Sequence, residues 1–421
     1  MDFNDTPEEA AFRAQARAWL EANAPLRSAQ DRDPDPLGER IDEATLKAAQ
    51  AWQKRKADAG WACIGWPEEY GGRAATPMQS VIWSQEEARV RTPPNIFLVG
   101  HGMCAPTIMA HGTAAQRQKW LPKLLSGEEI WCQLFSEPGA GSDLAGLRTS
   151  VVRDGDDWVL NGQKIWATGA QFCDWGIIIA RHDPNVPKHK GLTFFVIDMH
   201  APGIEVRPIT QINGGHGFNA VFFTDVHIPD SHRLDDVGAG WRVAITTLMN
   251  ERATVAGAGG GAMENLLQLT EELEIDGAPA IKDGAVREKV AEFYVRSKGV
   301  ELTGRRTLSA LSQGKMPGPE ASVVKLVGVR LTQEISSYAM ELQGLAGVIL
   351  DGALTPDAGR WQQRYLGVPG MRVAGGTDEV LRNIIAERVL QLPPEMRFDK
   401  DIPFKQVPTG PPSSSAERPR K

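Results

Sequence analysis

The stretch from Ile130 to Val237 constrains the fold of this chain more than any other. It holds five short runs, Val151 to Leu160, Trp175 to Ala180, Leu192 to Ile197, Ile204 to Arg207 and Ala220 to Val226, all rich in β-branched and aromatic residues. Gly, Asn, Asp and Pro separate these runs, as turns between strands require. Asp154-Gly155 and Asn161-Gly162 carry the strongest turn signals. No long helical period interrupts the runs, so the strands are expected to pair antiparallel, as a small barrel or sandwich.

Both flanks read as helical. Thr6 is placed to cap a helix over residues 5 to 23, with Pro7 in the first helical position and Glu8 and Glu9 in the first turn. Phe12, Ala16, Trp19 and Leu20 form its apolar stripe. Further helices are predicted at Ile41 to Ala59, Thr76 to Arg89, Pro94 to Met109 and Ala114 to Leu125. Beyond the strands, helical patterns run over Trp241 to Gln268, Asp283 to Leu311, Pro319 to Gln343 and Asp378 to Leu390, and a four-helix packing is the economical arrangement. The chain is thus read as α+β multidomain. An all-α N-terminal domain (1–129) precedes an antiparallel β-barrel or sandwich (130–237) and a C-terminal four-helix bundle (238–393), and a Pro- and Ser-rich tail (394–421) is expected to be mobile.

Bulk properties exclude several classes. The net charge of −7 is spread along the chain, which argues against nucleic acid as a partner. No basic segment leads into an apolar core, and the longest apolar runs are far too short to span a bilayer. A cytoplasmic protein with no membrane insertion is expected. Four cysteines without CxxC spacing read as buried thiols, and the histidines form no metal-ligand pair, so no metal is expected.

Chemistry-bearing residues concentrate between Trp131 and Gly169. Pro138-Gly139-Ala140-Gly141 is a glycine-rich turn running into Ser142 and Asp143, and Trp166-Ala167-Thr168 closes the stretch. Hydroxyls at Ser136, Ser142 and Thr168 beside the rings of Phe135 and Trp166 suit a flat, partly polar ligand. Gly257 to Ala262 matches a G-x-G-x-x-A dinucleotide fingerprint, but the preceding residues are helical in period rather than a strand, so that reading is rejected in favour of close helix packing. Ser142 lacks the G-x-S-x-G context of a nucleophile. Glu251-Arg252 is either a surface ion pair or a buried carboxylate able to take a weakly acidic proton, and spacing alone leaves both open. Thr377 or Asp378 can cap the last helix, and Gly375-Gly376 before it is either a plain turn or an anion-holding one.

Four ordered motifs give the chain a resemblance to the acyl-CoA dehydrogenases over nearly all of residues 5 to 392. These are SEPGAGSD (136–143), LNGQKIWATG (160–169), VHIPDSHRL…GAGW (226–241) and AGGTDEVLRNIIAERVL (374–390). The resemblance implies an FAD enzyme that introduces an α,β double bond into an acyl-CoA thioester, passing the β hydride to flavin N5 and electrons on to an electron-transfer flavoprotein. It implies that Gln133, Leu134, Phe135, Ser136, Gly141 and Ser142 line flavin and substrate. Trp166 would pack beside the isoalloxazine, Thr168 would face N5, and Thr377 and Glu379 would contact the cofactor. It also assigns the thioester carbonyl to a flavin hydroxyl and a backbone amide near Gly375. Many members carry their catalytic glutamate where this chain has Gly375. The long-chain and isovaleryl branches place it on the first long C-terminal helix, just before an arginine, and Glu251-Arg252 fits that place. Glu251 is therefore the expected base, with Arg252 orienting it.

Two segments depart from the family pattern. Residues 270–290 lack the R-x-x-F-G segment that contacts a neighbouring subunit's FAD, and Glu341 and Leu345 alter a Q-x-x-G-G-x-G turn. Both changes resemble a bacterial subset of steroid and branched-chain degraders, some heteromeric. A homo- or hetero-oligomer, dimer or tetramer, is expected. The alternatives carried forward are a half-site or non-catalytic subunit and a same-fold oxidase or monooxygenase using O2.

Overall fold

In the computed structural model the described residues are 5–28, 41–255, 261–312, 318–319, 322–397 and 399–408. The N-terminal domain contains α1 (Pro7–Asn23), α2 (Glu43–Asp58), α3 (Pro77–Glu87), α4 (Ala105–His111) and α5 (Ala114–Ser126). Its first helix starts as the sequence predicts. Glu9 donates its backbone N–H to the Thr6 hydroxyl at 3.2 Å, and Thr6 N–H donates to the Glu9 carboxylate at 2.8 Å. The same reciprocal cap opens α3 at Thr76 and Gln79 and α5 at Thr113 and Gln116. Phe12, Ala16 and Leu20 pack with Trp52, Trp61 and Trp83. The helix predicted over Pro94 to Met109 is instead a wide turn at Gly100–Cys104 followed by α4. Pro106 has no N–H to give, which loosens the turn before it.

Glu86 organises the charges of this domain. Its buried carboxylate accepts from Arg17 at 2.8 Å, Arg89 at 2.7 Å and Arg13 at 3.1 Å. The Arg17 hydrogen bond, helped by Arg89 and Arg13 against the opposing effect of burial, holds its pKa down at about 2 instead of 4.5. A folded pKa below the unfolded one means that protonation favours the unfolded chain, so this contribution is complete above about 4.5 and is lost as pH falls toward about 2. Urea unfolding along that pH range should show wild type losing roughly 3 kcal/mol that the Glu86→Gln variant lacks already at neutral pH.

The middle domain is a sheet of eight strands: β1 (Trp131–Leu134), β2 (Ser150–Asp154), β3 (Asp157–Thr168), β4 (Trp175–Arg181), β5 (Leu192–Asp198), β6 (Ile204–Ile209), β7 (Phe218–Pro229) and β8 (Arg233–Leu234). Their order is β6-β7-β3-β2-β4-β5-β8, with β1 pairing β4. The expected antiparallel pairing holds for most neighbours. However, β1 runs parallel to β4, and β2 meets β4 in parallel at Ser150 and Arg181. A parallel pair needs a long connection, and here the β2–β3 hairpin supplies it in place of a helix. Asp154-Gly155 makes the predicted turn, with Gly155 at φ +60°. Asn161-Gly162 does not turn the chain. It is a register shift inside β3, with Gly162 at φ +145°, and a Cβ there would come within 2.7 Å of Thr149.

The C-terminal domain contains α6 (Gly240–Val255), α7 (Ala262–Glu272), the two-residue strands β9 (Glu274–Ile275) and β10 (Ala278–Pro279), α8 (Gly284–Ser312), α9 (Ser322–Leu342), α10 (Arg360–Met371) and α11 (Asp378–Ile384). The single helix predicted over Trp241 to Gln268 is two helices, and Gly261 leads into the second at φ +87°. Most of the Gly257 to Ala262 run read as a packing face falls in 256–260, outside the described residues. Four helices do share one core, α7 to α10, around Leu266, Leu269, Phe293, Leu331, Ile335 and Trp361. Of these, α10 is not in the sequence prediction; it carries two helix breakers, Gly367 and Pro369, and fully buried Trp361 holds it in place. The last predicted helix is α-helical only to Ile384 and then widens at Ile385–Val389. Beyond Pro393 the chain returns to the middle domain, where Phe404 N–H donates to Val186 C=O at 2.9 Å. The part of the expected mobile tail within 399–408 is thus docked.

Candidate functional site

The sheet and the first helix after it bring the expected base to the opening strand. Gly240 starts α6 against β5, where a Cβ would lie 2.7 Å from Leu192 backbone. One turn apart, Val243 and Thr247 are fully buried, and Glu251 continues that stripe at the same four-residue spacing, half-buried. Thr247 and Thr107 hydroxyls meet at 2.9 Å. His111 bridges the Asp235 carboxylate at 2.9 Å and the Thr246 hydroxyl at 2.8 Å. These contacts fix the rotation of α6 and so aim Glu251 inward.

Gln133, in β1, meets it there. Gln133 Nε2 donates to Glu251 Oε2 at 3.0 Å across 118 residues of sequence. Gln133 Oε1 is buried and has no hydrogen-bond partner among the described residues. Glu251 thus lies half-buried against β1 rather than fully on the outer surface of α6. The side chain of Arg252 lies outside the described residues.

The glycine-rich turn is built over a buried ion pair. Glu137 and Ala140 exchange backbone hydrogen bonds at 3.0 Å around Pro138-Gly139. The Glu137 carboxylate accepts from the Arg148 and Thr149 amides at 2.6 and 2.9 Å and from Lys164 Nζ at 2.8 Å. Lys164, with no exposed surface, also donates to Phe135 C=O at 2.9 Å. Burial is the largest influence on both groups. It draws the Lys164 ammonium down to about 8, whereas the attraction of Lys164 and the amide donors keep Glu137 below its ordinary value. The pair remains charged at neutral pH.

Above this support the polar face is open. Leu134 and Phe135 side chains are core, Phe135 packing edge-on against Phe194 at 5.6 Å, so only their backbone can face a ligand. Ser136 is half-buried, and its carbonyl accepts from Ile165 N–H at 2.8 Å. Gly141 and Ser142 are exposed, and a Cβ at Gly139 or Gly141 would meet nothing within 4 Å. Trp166 sits in the left-handed region at φ +63°, with 55% of its surface exposed and its ring edge-on to Phe218 at 5.9 Å. Thr168, two residues on, is exposed as well. The left-handed backbone at Trp166 costs about 1–3 kcal/mol, a strain that the surrounding sheet holds in place and that turns the ring outward.

The last motif lies on the bundle. Gly375 and Gly376 adopt φ +64° and +100°. Lys325, buried on α9, donates to Gly376 C=O and to Arg372 C=O, the latter at 3.4 Å. Thr377 caps α11 by accepting from Val380 N–H at 3.2 Å. Asp378 is buried against Arg372, and Glu379 is exposed. Among the described residues no hydrogen bond joins 375–379 to Glu251. The structure thus unites Gln133 with Glu251, and the glycine-rich turn with β3, and leaves the fourth motif at the start of α11.

Sequence reasoning missed Lys164, Lys325 and the Thr107–Thr247 and His111 contacts. The inward parity of Trp158, Leu160 and Lys164 along β3 could have revealed the first. An unpartnered buried amide oxygen at Gln133, an uncovered Trp166 and an open glycine turn fit a flat, polar-edged cofactor of the flavin kind. Among the described residues no cluster could hold a metal, and no helix is long and apolar enough to cross a membrane.

Comparison with known proteins agrees in every domain. The chain matches the acyl-CoA dehydrogenase N-terminal domain over residues 6–128, the middle domain over 132–226 and the C-terminal domain over 238–390. It is 39% identical over 351 residues to the acyl-CoA dehydrogenase FadE34 of Mycobacterium tuberculosis, covering 82% of this chain and 47% of that protein. It thus spans about half the length of that relative. It is 35% identical over 398 residues to the acyl-CoA dehydrogenase IpdE1 of the same organism, covering 92% of this chain and 98% of that protein. Among solved structures, the Tcur3481-Tcur3483 steroid ACAD superposes with a TM-score of 0.81 at 28% identity, covering 94% of this chain and all of that one. The ChsE4-ChsE5 complex from Mycobacterium tuberculosis superposes with a TM-score of 0.78 at 28% identity, over 94% of this chain and all of that one. With three family domains matched in order and a relative 35% identical over 98% of its own length, this chain belongs to the acyl-CoA dehydrogenase family.

Proposed function

We propose that this chain is an FAD-dependent acyl-CoA dehydrogenase in which Glu251 removes the α proton of a bulky or branched acyl-CoA. The observation carrying this reading is the Gln133–Glu251 hydrogen bond, which holds a half-buried carboxylate beside the strand that opens the family's signature. Ser136, Gly141, Ser142, Trp166 and Thr168 form the face that would hold the cofactor, with Thr377 and Glu379 contributing from the bundle. FAD, when bound, supplies the two-electron acceptor for the β hydride. The chain's own residues do the rest. The Glu251 carboxylate receives the α proton, and Gln133 restrains it through Oε2 while it waits. The Gly375-Gly376 turn, held by Lys325, offers a backbone amide to the thioester carbonyl, where negative charge develops as the proton leaves.

A bulky acyl group is favoured by exposed Ala374, which leaves room beside Gly375, and by the likeness to a steroid-acting structural neighbour. Electrons would leave through an electron-transfer flavoprotein. The test is anaerobic titration of the purified yellow protein with straight, branched and ring-bearing acyl-CoAs. Bleaching strongest with the bulky substrates is expected. A yellow protein that none of them bleaches overturns the reading.

A second reading has its own support. Leu345 and Val348 are 90% and 79% exposed, and the neighbouring structures named above pair two different chains. As one subunit of a heteromer, this chain would purify colourless and gain flavin only with a co-expressed paralogue.

A further inference from the structure

The docked segment 399–408 lies beyond the residues matched by the family's C-terminal domain, which end at 390. Two separate lines of contact lead from it to the same place. The first is ionic. Asp399 accepts from Lys188 Nζ at 2.5 Å, and the same buried ammonium donates to both oxygens of Asp143 at 2.8 and 2.9 Å. Asp143 directly follows Gly141 and Ser142, and its carboxylate lies where a Cβ at Gly146 would come within 2.9 Å of it.

The second line runs through a stacked cation. The guanidinium carbon of Arg181 lies 3.4 Å from the centre of the Phe404 ring. Buried Arg181 has no carboxylate partner within hydrogen-bonding distance among the described residues. It donates instead to three carbonyls, Leu147 at 3.0 Å, Ala145 at 2.6 Å and Lys188 at 3.1 Å. A buried guanidinium satisfied only by carbonyls depends on whatever covers its face, and an aromatic ring is the strongest neutral cover available. Backbone bonds seat the cover: Phe404 N–H to Val186 C=O at 2.9 Å and Lys405 N–H to Pro184 C=O at 3.0 Å.

Asp399 therefore reaches residue 143 through Lys188, and Phe404 reaches residues 145 and 147 through Arg181. Neither touches the open face of the turn. We propose that residues 399–408 form a strap that positions the Gly141-Ser142 turn for its ligand, with Asp399 and Phe404 as positioning residues acting through Lys188 and Arg181. The ligand's identity as FAD rests on the function proposed above. The strap's hold on the turn does not.

The experiment uses the full chain as wild type, Phe404→Ala, Asp399→Asn and Phe404→Tyr. Hydrogen exchange is read on peptides covering 139–147 in flavin-free protein, and FAD affinity by fluorescence titration. Phe404→Ala and Asp399→Asn should each speed exchange in that segment and weaken FAD about tenfold, within the usual range for coupling between sites, and Phe404→Tyr, which keeps the ring, should restore both. Unchanged exchange at 139–147 in both variants overturns the strap. Faster exchange with unaltered FAD affinity, or a lower melting temperature alone, overturns its positioning role and leaves ordinary stabilisation. A wild-type chain that takes up no FAD, alone or with a co-expressed paralogue, overturns the flavin reading instead, and the exchange measurement then decides the strap by itself.

Discussion

Glu251→Gln should give a folded, yellow protein whose reduction by acyl-CoA is slowed by about 10²–10⁴-fold, the range over which a positioned general base accelerates proton removal. The amide keeps the shape of the side chain and still offers an oxygen to Gln133 Nε2, which is the hydrogen bond that Glu251 receives. Packing along α6 is carried by Val243, Ala244 and Thr247, none of which changes. Flavin content and melting temperature should therefore stay near wild type while the proton acceptor alone is lost. Anaerobic stopped-flow bleaching separates the outcomes, because slow reduction at unaltered substrate affinity marks a base. Wild-type bleaching by the variant would place the base on another residue.

The second large effect concerns stability. Lys164→Met should cost about 3–5 kcal/mol, because it leaves the Glu137 carboxylate buried without its cation. The pH dependence identifies the cause. In wild type the folded Glu137 pKa lies below its ordinary value, so its contribution disappears as the medium is acidified. In the variant burial is no longer opposed by Lys164, and the folded pKa moves above the unfolded one. Protonation then favours the folded state, and the deficit shrinks as pH falls. Urea midpoints of the two proteins should converge in acid and diverge toward neutrality. A double variant, Glu137→Gln with Lys164→Met, should recover much of the loss at neutral pH, since neither charge then remains buried and the amide oxygen still accepts from the Arg148 and Thr149 N–H groups.

How far the sequence discloses this molecule depends on the range of the interaction. The Thr6 cap, the runs that form β4 to β7 and the order of the three domains rest on residues close together and appear where local pattern puts them. The run Val151 to Leu160 is instead two strands, β2 and the start of β3, and β1 is not among the predicted runs. The parallel pairing of β1 with β4 joins strands forty-odd residues apart, and nothing in either strand's own pattern specifies it. Asn161-Gly162 has turn chemistry, yet Thr149 and β7 hold the chain extended there, so tertiary pairing overrides the local preference. Helix α10 forms across Gly367 and Pro369 for the same reason. Within the site, Glu251 is singled out only through the resemblance, in which a glycine at position 375 goes together with a glutamate on the first long C-terminal helix. Its contact with Gln133 was not legible, because it depends on how α6 rotates against the sheet. Nor was the docking of 399–408, which hangs on one ring and one carboxylate finding partners some two hundred residues earlier.

The fastening of α6 has a mechanical consequence. Beyond its packing on the sheet, its polar grip is at Thr246 and Thr247, through α4, and the carboxylate of Glu251 rides one turn farther along, about 6 Å by helical rise. Helix α4 thus acts as a fulcrum and α6 as a short lever arm. A tilt of ~10° at the fulcrum swings the carboxylate through ~1 Å, a misplacement that can lower a rate by about a hundredfold. The N-terminal domain thus sets the aim of the residue proposed above as the base, through a hydroxyl pair and a histidine on α4.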